Sequence, residues 1–260
     1  MNHPSLSRDR QAGFSLLELM LSLSLFIIIS GAALSLLTAA QKRFQTEGQL
    51  LSSFQEGRLA LDMIVRDVND SGYPAANQFS ALAPAVTSYA VTPVAWSPVP
   101  NPCAIGTCVS PNNFDLILEE FDNTTNTMQW IHYQLLGTTL WRGTVVKGNG
   151  NDPLIATSAA GVMFPYATNV MNNTPAQITL INAAYPGTFP GGAPLPIFTY
   201  YCDTPAGPVL CTAAGANNLA SNIREVEVTL IVLTQQPDMQ TRKLRVVTLN
   251  GRGHRVNPKQ

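Results

Sequence analysis

Charged and catalytic side chains are both scarce in this chain. Only 12% of its 260 residues are charged, and the formal net charge is −1. That balance argues against a general nucleic-acid binder, whose surface is strongly basic. Motifs for a serine nucleophile elbow, a His-Glu-x-x-His zinc helix and a phosphate-binding glycine loop are all missing. We therefore predict that the chain is not an enzyme and uses no cofactor and no metal.

The few residues that often carry chemistry are poorly arranged for it. Glu119 and Glu120 are adjacent in a strand-like run, so their side chains point to opposite faces and do not form an acid–base pair. His132 lies in another strand-like run, where we expect local hydrogen bonds to satisfy it. The other two histidines, His3 and His254, lie near the two ends of the chain.

Charge is also missing from one long stretch. From Leu19 to Gln41 there are 23 residues without a charge, enough for a helix to cross the ~30 Å hydrocarbon core of a bilayer. Glu18 directly precedes this run, and a carboxylate at that depth costs about 2.5–3.5 kcal/mol on insertion scales. Its own segment offers no cation, so we expect a partner charge from elsewhere.

Residues 1–13 form a short polar leader before the apolar run. A secretory signal peptide has its apolar region before the cleavage site, whereas here it follows the only plausible site, between Gly13 and Phe14. Cleavage there would keep the apolar helix and create a new amine on Phe14. That amine could pair with Glu18 within one helix, where positions one and five share a face, or between neighbouring subunits.

The segment GFSLLELM, residues 13–20, resembles the class III signal of type IV pilins and type II secretion pseudopilins. The resemblance implies that a membrane peptidase cuts after Gly13 and methylates Phe14, and that Glu18 serves in filament assembly. The implied partners are this prepilin peptidase and methyltransferase, other pilins in a helix bundle, an inner-membrane assembly platform, and membrane lipid before assembly. The alternative is an ordinary signal-anchor helix with a stray glutamate.

The basic residues beside the apolar run do not decide its orientation. Arg8 and Arg10 precede it, and Lys42 and Arg43 follow it, so the positive-inside rule is nearly balanced. The family resemblance implies a cytoplasmic leader and a single pass through the inner membrane. It also implies a periplasmic head that later joins an extracellular pilus.

The helical pattern continues beyond the apolar run. Apolar residues recur at spacings of three, four and seven after Lys42, which predicts an amphipathic helix. Gly72 and Pro74 provide a stop signal, so we predict one helix over about 14–70. Residues 61–73 resemble the end of the long helix in PilW-type minor pilins and J-type pseudopilins.

The remaining residues predict a head built on an antiparallel sheet, which makes the chain an α+β protein. Runs rich in β-branched, leucine and aromatic residues predict strands, and the turn at 235–238 predicts a hairpin. The predicted strands cover 114–121, 128–136, 140–146, 177–182, 225–233 and 242–249. The stretch 130–142 resembles a hairpin of the PilW-type and J-type proteins.

We expect four segments with distinct roles. They are a cleaved leader (1–13), a membrane and filament-core helix (14–41), an amphipathic helix packed on the head (42–73), and the head itself (74–260). Proline-rich loops are predicted within the head at 74–112 and 183–222, because proline excludes both helix interiors and central strands.

Four cysteines form two local pairs, Cys103 with Cys108 and Cys202 with Cys211. Both pairs lie in the proline-rich loops, where a periplasmic location would favour oxidation. Four cysteines allow three connectivities. We favour the local pairings because each would staple a loop that has little core of its own. A four-thiolate zinc site is disfavoured because the spacings are not those of the usual short metal knuckle.

Basic residues are concentrated at the carboxyl end. A patch that binds DNA or a protein partner is one interpretation. The other, which we favour, is a solvated edge strand whose cations block strand addition. The residues concerned are Arg242, Lys243, Arg245, Arg252, Arg255 and Lys259.

The sequence as a whole predicts a minor type IV pilin, a structural subunit that takes part in pilus assembly and initiation after processing. A minor pseudopilin of a type II secretion system is the first alternative. The second is a pilus-tip adhesin or a DNA-contacting subunit that uses its disulfide-bonded loops.

Overall fold

The structure is a computed structural model that describes residues 15–73, 94, 110–146, 163–211, 219–238 and 241–255. The chain divides into two compact units, 1–47 and 48–260. The long helix α1 (Leu16–Asp70) begins in the first unit and ends in the second. The strands and the second helix all belong to the second unit.

The end of α1 matches the stop signal in the sequence. Gly72 has a φ of 83°, a left-handed conformation that glycine adopts without a steric penalty. The amide of Ser71 donates to the carbonyl oxygen of Asp67 at 3.1 Å, which closes the last turn. Tyr73 then donates its amide to the carbonyl oxygen of Asp70 at 3.3 Å. The predicted end of the helix is therefore confirmed.

The first part of α1 is apolar and uncovered. Its most apolar window has a mean hydropathy of 2.3, and none of that window is buried. Within the described ranges, α1 is the one helix that is long and apolar enough to cross a membrane.

The described residues of the head form two antiparallel sheets of four strands each. The first has the order β1-β2-β3-β4 and the second the order β6-β5-β7-β8. The first sheet consists of β1 (Asp115–Asp122), β2 (Thr127–Leu136), β3 (Thr139–Val146) and β4 (Met163–Ala167). A helix, α2 (Pro175–Ala184), precedes the second sheet. That sheet consists of β5 (Phe198–Cys202), β6 (Val209–Leu210), β7 (Ile223–Leu233) and β8 (Val246–His254).

One apolar core joins the helix to both sheets. Leu61, Ile64 and Val68 of α1 are at most 2% exposed and belong to the same cluster as Leu118 of β1 and Leu230 of β7. Residues spaced three and four apart form one face of a helix, which is why these three point the same way. The predicted α+β class is confirmed, with two sheets where the sequence indicated one.

Two glycines of β8 allow the helix to approach the second sheet closely. A Cβ added at Gly253 would lie 2.6 Å from the Cβ of Val68, and one at Gly251 would lie 2.9 Å from a methyl carbon of Leu61. A Cβ at either position would force its neighbour to shift. At Gly253 the neighbour is the Cβ of Val68, which cannot move unless α1 does, whereas at Gly251 it is the end of the Leu61 side chain. Gly251, which lies just beyond the predicted end of the last strand, therefore has a packing role.

Three parts of the predicted head are wrong. Residues 177–182 lie in helix α2 and not in a strand, because Ile178 and Ile181 are spaced to bury one helical face. The predicted loop 183–222 contains β5 and β6, which pair with each other, and β5 also pairs with β7. The last strand begins at Val246, later than predicted, and continues through the two glycines to His254.

Candidate assembly site

Glu18 lies in the first turn of α1 and its side chain is exposed. The amide of Ser15 donates to Glu18 Oε2 at 3.4 Å, and the hydroxyl of Ser22 donates to the carbonyl oxygen of Glu18 at 2.5 Å. Across the part of the chain that the structure describes, no cation lies within ion-pair distance of Glu18. The carboxylate therefore lies beside the backbone that directly follows Phe14. Gly13 and Phe14, the predicted cleavage and methylation sites, lie outside the described residues.

The surface around Glu18 is strongly apolar. Fourteen large apolar side chains between Leu16 and Leu37 are 52–78% exposed. Burying one such side chain is worth roughly 1.5–3 kcal/mol, so leaving all of them in water is strongly unfavourable. This half of α1 needs lipid or other helices around it.

A second polar cluster fixes the other end of α1 to the first sheet. Tyr133 Oη donates to Asp67 Oδ2 at 2.5 Å, and Arg142 Nη2 donates to the same oxygen at 2.9 Å. Arg142 Nε also donates to Tyr133 Oη at 2.9 Å. Asp67 is buried, whereas the Arg142 side chain is 22% exposed. We call these three residues the helix–sheet triad.

Burial and mutual contact change the acidity of the triad. Burial raises the pKa of the Tyr133 hydroxyl well above its ordinary value, and the charge of Asp67 raises it further. Burial alone would lower the pKa of Arg142, but its contacts with Tyr133 and Asp67 raise it above its ordinary value. Tyr133 therefore stays a neutral donor and Arg142 stays charged, so the three groups hold a fixed pattern of donors and acceptors.

An acidic cleft of about 490 Å³ adjoins the triad. Four carboxylates line it, from Asp67, Asp70, Glu120 and Asp122, together with two guanidinium groups, from Arg66 and Arg142. Burial raises the pKa of Glu120 from an ordinary 4.5 to about 7, and the charges of Asp67 and Asp70 add to the rise. Glu120 is thus half protonated near neutral pH, a property that the sequence did not reveal.

Two of the four cysteines and His132 make contacts within the described part of the head. Cys202 and Cys211 form a disulfide with a Cα–Cα distance of 5.2 Å, which confirms that local pairing. Cys103 and Cys108 lie outside the described residues. His132 Nε2 lies 3.0 Å from Asp115 Oδ2, as expected for a strand histidine held locally. Its Nδ1 is buried and has no hydrogen-bond partner among the described residues.

Three of the six basic residues at the carboxyl end form ion pairs within the head or are buried in it. Arg245 forms an ion pair with the buried Asp238, and Arg252 forms ion pairs with Glu225 and Glu227. The Arg252 guanidinium also lies 4.5 Å from the centre of the Tyr201 ring. Arg255 is 3% exposed. Lys259 lies outside the described residues. Arg242 and Lys243 are exposed without an ion pair to any described residue, whereas the exposed Arg245 and Arg252 are paired.

Sequence reasoning missed the helix–sheet triad. Asp67 is separated by 66 residues from Tyr133 and by 75 from Arg142, so no local spacing connects them. The available signal was an arginine within an apolar strand, at a position where a buried charge requires a partner.

Comparison with known proteins identifies the amino-terminal segment. Residues 8–34 match the family model of the prokaryotic N-terminal methylation motif. No curated protein matches the chain. A solved type IV-like pilin from Thermus thermophilus is 8% identical, with a TM-score of 0.36, over 79% of this chain and 97% of that one. A likeness this distant is no basis for assigning the fold or the function.

The matched motif has direct consequences for processing and assembly. It implies cleavage by a prepilin peptidase and assembly with other pilins. The motif and the apolar start of α1 fit a membrane-anchored pilin. An α+β head follows them, and together they point to a structural protein. Residues 8–34 thus carry a prokaryotic N-terminal methylation motif, at the start of the long apolar helix.

Proposed function

We propose that this chain is a minor type IV pilin of the PilW type. It is inserted once in the inner membrane with its head in the periplasm. The peptidase cleaves between Gly13 and Phe14 and the new amino group is methylated. The subunit then enters the pilus near its tip, as part of the complex that initiates assembly.

The observation that carries this proposal is the position of Glu18. Its carboxylate lies at the start of an exposed apolar helix, 3.4 Å from the amide of the residue after Phe14. Cleavage places a positive amine beside that amide, on this chain or on a neighbour. In low-dielectric surroundings the attraction between the two charges is much stronger than in water. Assembly thus pairs a charge that is costly when it is alone.

The apolar side chains of α1 supply the rest of the assembly energy. Residues 14–41 exchange lipid for neighbouring helices when the subunit leaves the membrane. Lipid tails are as apolar as leucine, so close packing and the charge pair decide where the subunit settles. This explains why a single carboxylate is retained in an otherwise apolar segment.

Substitution of Glu18 tests the proposal. We expect Glu18→Ala to be inserted and cleaved normally, but to enter sheared surface filaments roughly tenfold less or worse, because the partner amine would be buried unpaired. Glu47→Ala is the matched control, since Glu47 is an exposed acid of the same helix outside the apolar run. Immunoblots of filament and membrane fractions measure the distribution.

Mass spectrometry of the mature amino terminus is the companion measurement. The proposal requires a methylated Phe14 as the first residue. A native protein that begins at Met1 or at another residue, or wild-type incorporation of Glu18→Ala, would contradict it.

A J-type minor pseudopilin is the alternative with the same assembly chemistry. The motif at the helix start is shared by both groups, so the geometry of Glu18 suits either. Deletion of the gene separates them, because a minor pilin is needed for surface pili and a pseudopilin for secretion of exoproteins. A tip adhesin or DNA-contacting subunit has less support, since three of the basic residues at the carboxyl end are buried or paired within the head.

A further inference from the structure

The head carries an exposed cationic tip on the connection between β7 and β8. Arg242 and Lys243 are both exposed, and the side chain of neither has an ion pair or hydrogen bond to any residue that the structure describes. The backbone beneath them is well held. Asp238 accepts from Arg245 Nε at 3.0 Å, and the amide of Arg242 donates to the carbonyl oxygen of Asp238 at 2.7 Å. Arg242 and Lys243 are therefore two exposed positive side chains whose backbone is hydrogen-bonded to Asp238.

This tip belongs to the end of the head where α1 enters it. Gln49 Nε2 donates to Gln236 Oε1 at 3.3 Å, which places the connection beside the first residues of α1 in the second unit. Gln49 is eight residues after Gln41, the last residue of the charge-free run. The covalent chain keeps Gln41 and Gln49 within about 28 Å of each other.

The opposite end of the head has the opposite charge. The acidic cleft is lined by Asp70 of α1, which lies 21 residues beyond Gln49, or about 31 Å along the helix. That separation exceeds the ~8–10 Å Debye length several times, so a charged surface acts on the two ends independently. An anionic surface attracts the end with Arg242 and Lys243 and repels the end with the cleft.

We propose that Arg242 and Lys243 dock the head on anionic phospholipid headgroups of the membrane that holds α1, before the subunit enters a filament. The proposal rests on the part of the proposed function that inserts the apolar half of α1 in a membrane. Docking holds the head with its acidic end pointing away from the bilayer. A subunit anchored by one helix is thereby presented to the assembly machinery in one orientation.

The expected strength follows from the number of charges. Each lysine or arginine at an anionic surface shifts binding by roughly fivefold, so the two together shift the equilibrium between docked and free heads by roughly 30-fold. Because the attraction is screened by salt, it weakens steeply as ionic strength rises.

Hydrogen–deuterium exchange of the full chain in vesicles tests the docking. We expect residues 235–245 to exchange more slowly in vesicles that contain phosphatidylglycerol than in pure phosphatidylcholine, and we expect high salt to remove the difference. The double variant Arg242→Glu/Lys243→Glu should show no difference between the lipids. The control Arg58→Glu reverses an exposed charge of α1 that lies outside the acidic cleft, and it should behave like wild type.

Three results would overturn the inference. They are equal exchange of the wild type in both lipids, protection that high salt does not reduce, and protection by duplex DNA in phosphatidylcholine vesicles without protection by phosphatidylglycerol. The salt titration uses the wild type and so does not depend on the folding of a variant. A chain that is processed and incorporated but unprotected refutes only this inference, whereas a protected chain that never enters filaments refutes only the proposed function.

Discussion

At the residue scale, the helix–sheet triad shows how a buried charge stabilises one arrangement of helix and sheet. The carboxylate of Asp67 accepts from both Tyr133 and Arg142. Replacing the whole triad with apolar residues could be tolerated, but removing a single member takes one hydrogen-bond partner from each of the other two. The loss of stability on a substitution in the triad therefore depends on which polar groups of the triad are left.

Substitution of Asp67 should be among the most destabilising changes on α1. We expect Asp67→Ala to lower the free energy of unfolding by roughly 3 kcal/mol, because Arg142 and Tyr133 would lose their shared acceptor. Denaturant unfolding of the full chain in detergent measures this. Asp62→Ala is the control, since the Arg58–Asp62 pair is more than half exposed and should cost under about 0.5 kcal/mol. Equal effects of the two variants would show that the triad contributes little.

Glu120 predicts a pH dependence of stability. Its pKa is about 7 in the folded head and near 4.5 when it is exposed. The folded state therefore binds more protons between these values, so the contribution of Glu120 to stability falls as the pH rises from about 4.5 to 7. The free energy of unfolding of the wild type, measured across this range, should decline as the pH rises. In Glu120→Gln this decline should be absent.

Asp122 on the same strand provides a control of opposite sign. Hydrogen bonds from Thr125 and Thr124 hold the pKa of Asp122 below its ordinary value. The contribution of Asp122 to stability is present at pH values above its ordinary pKa. It is lost as the pH falls through the lowered pKa of the folded state. Asp122→Asn should therefore leave the decline between pH 4.5 and 7 unchanged. A decline that persists in Glu120→Gln would assign it to another group.

At the scale of elements, the contact between α1 and β8 depends on the absence of two side chains. Val68 and Leu61 occupy the space that a Cβ at Gly253 or Gly251 would need. A strand with larger residues there could still pair with β7, but the helix would have to move away from the sheet. The glycines therefore set how closely the two elements pack.

Gly253→Ala tests this packing. We expect it to lower the free energy of unfolding by about 1–3 kcal/mol, the usual cost of overpacking a close contact. Thr248→Ala on the exposed side of β8 is the control and should change it by less than about 0.5 kcal/mol. Thermal unfolding of both variants in detergent gives the comparison, and a stable Gly253→Ala would show that α1 shifts at little cost.

At the scale of the whole molecule, the chain combines a half-helix that needs other molecules with a head that has its own core. The first buried residue of α1 is Ser53, so the core takes nothing from the apolar run. The two compact units are divided at residues 47 and 48. Insertion and assembly can thus proceed without rebuilding the head.

A truncated chain that begins at Gly48 should fold by itself. We expect it to be soluble, to unfold cooperatively, and to have a free energy of unfolding within about 1 kcal/mol of that of the full chain, because none of residues 15–47 is buried. Circular dichroism and thermal unfolding measure this. The full chain without detergent is the comparison and should aggregate through its exposed apolar residues. Aggregation of the truncated head would show that it depends on the first unit.

Local patterns in the sequence determined the features that depend on neighbouring residues. The charge-free run, the Gly72 stop and most of the strands follow from periodicity and from the backbone freedom of single residues. The carboxylate of Glu18 before an apolar run indicated the assembly chemistry, because a charge in that setting requires a partner wherever the chain folds. The Cys202–Cys211 pair lies close enough in sequence to be predicted in the same way.

Only the tertiary structure decided what depends on contacts between distant residues. Ile178 and Ile181 suit either a strand or a helix, and burial against the head selects the helix. Within 183–222, β5 pairs with the edge that β7 offers, and β6 then pairs with β5. The pKa of Glu120 and the burial of Asp67 arise where α1 meets the first sheet, from groups more than 45 residues apart in sequence. Burial and pairing are properties of the folded neighbourhood, and a linear pattern does not contain them.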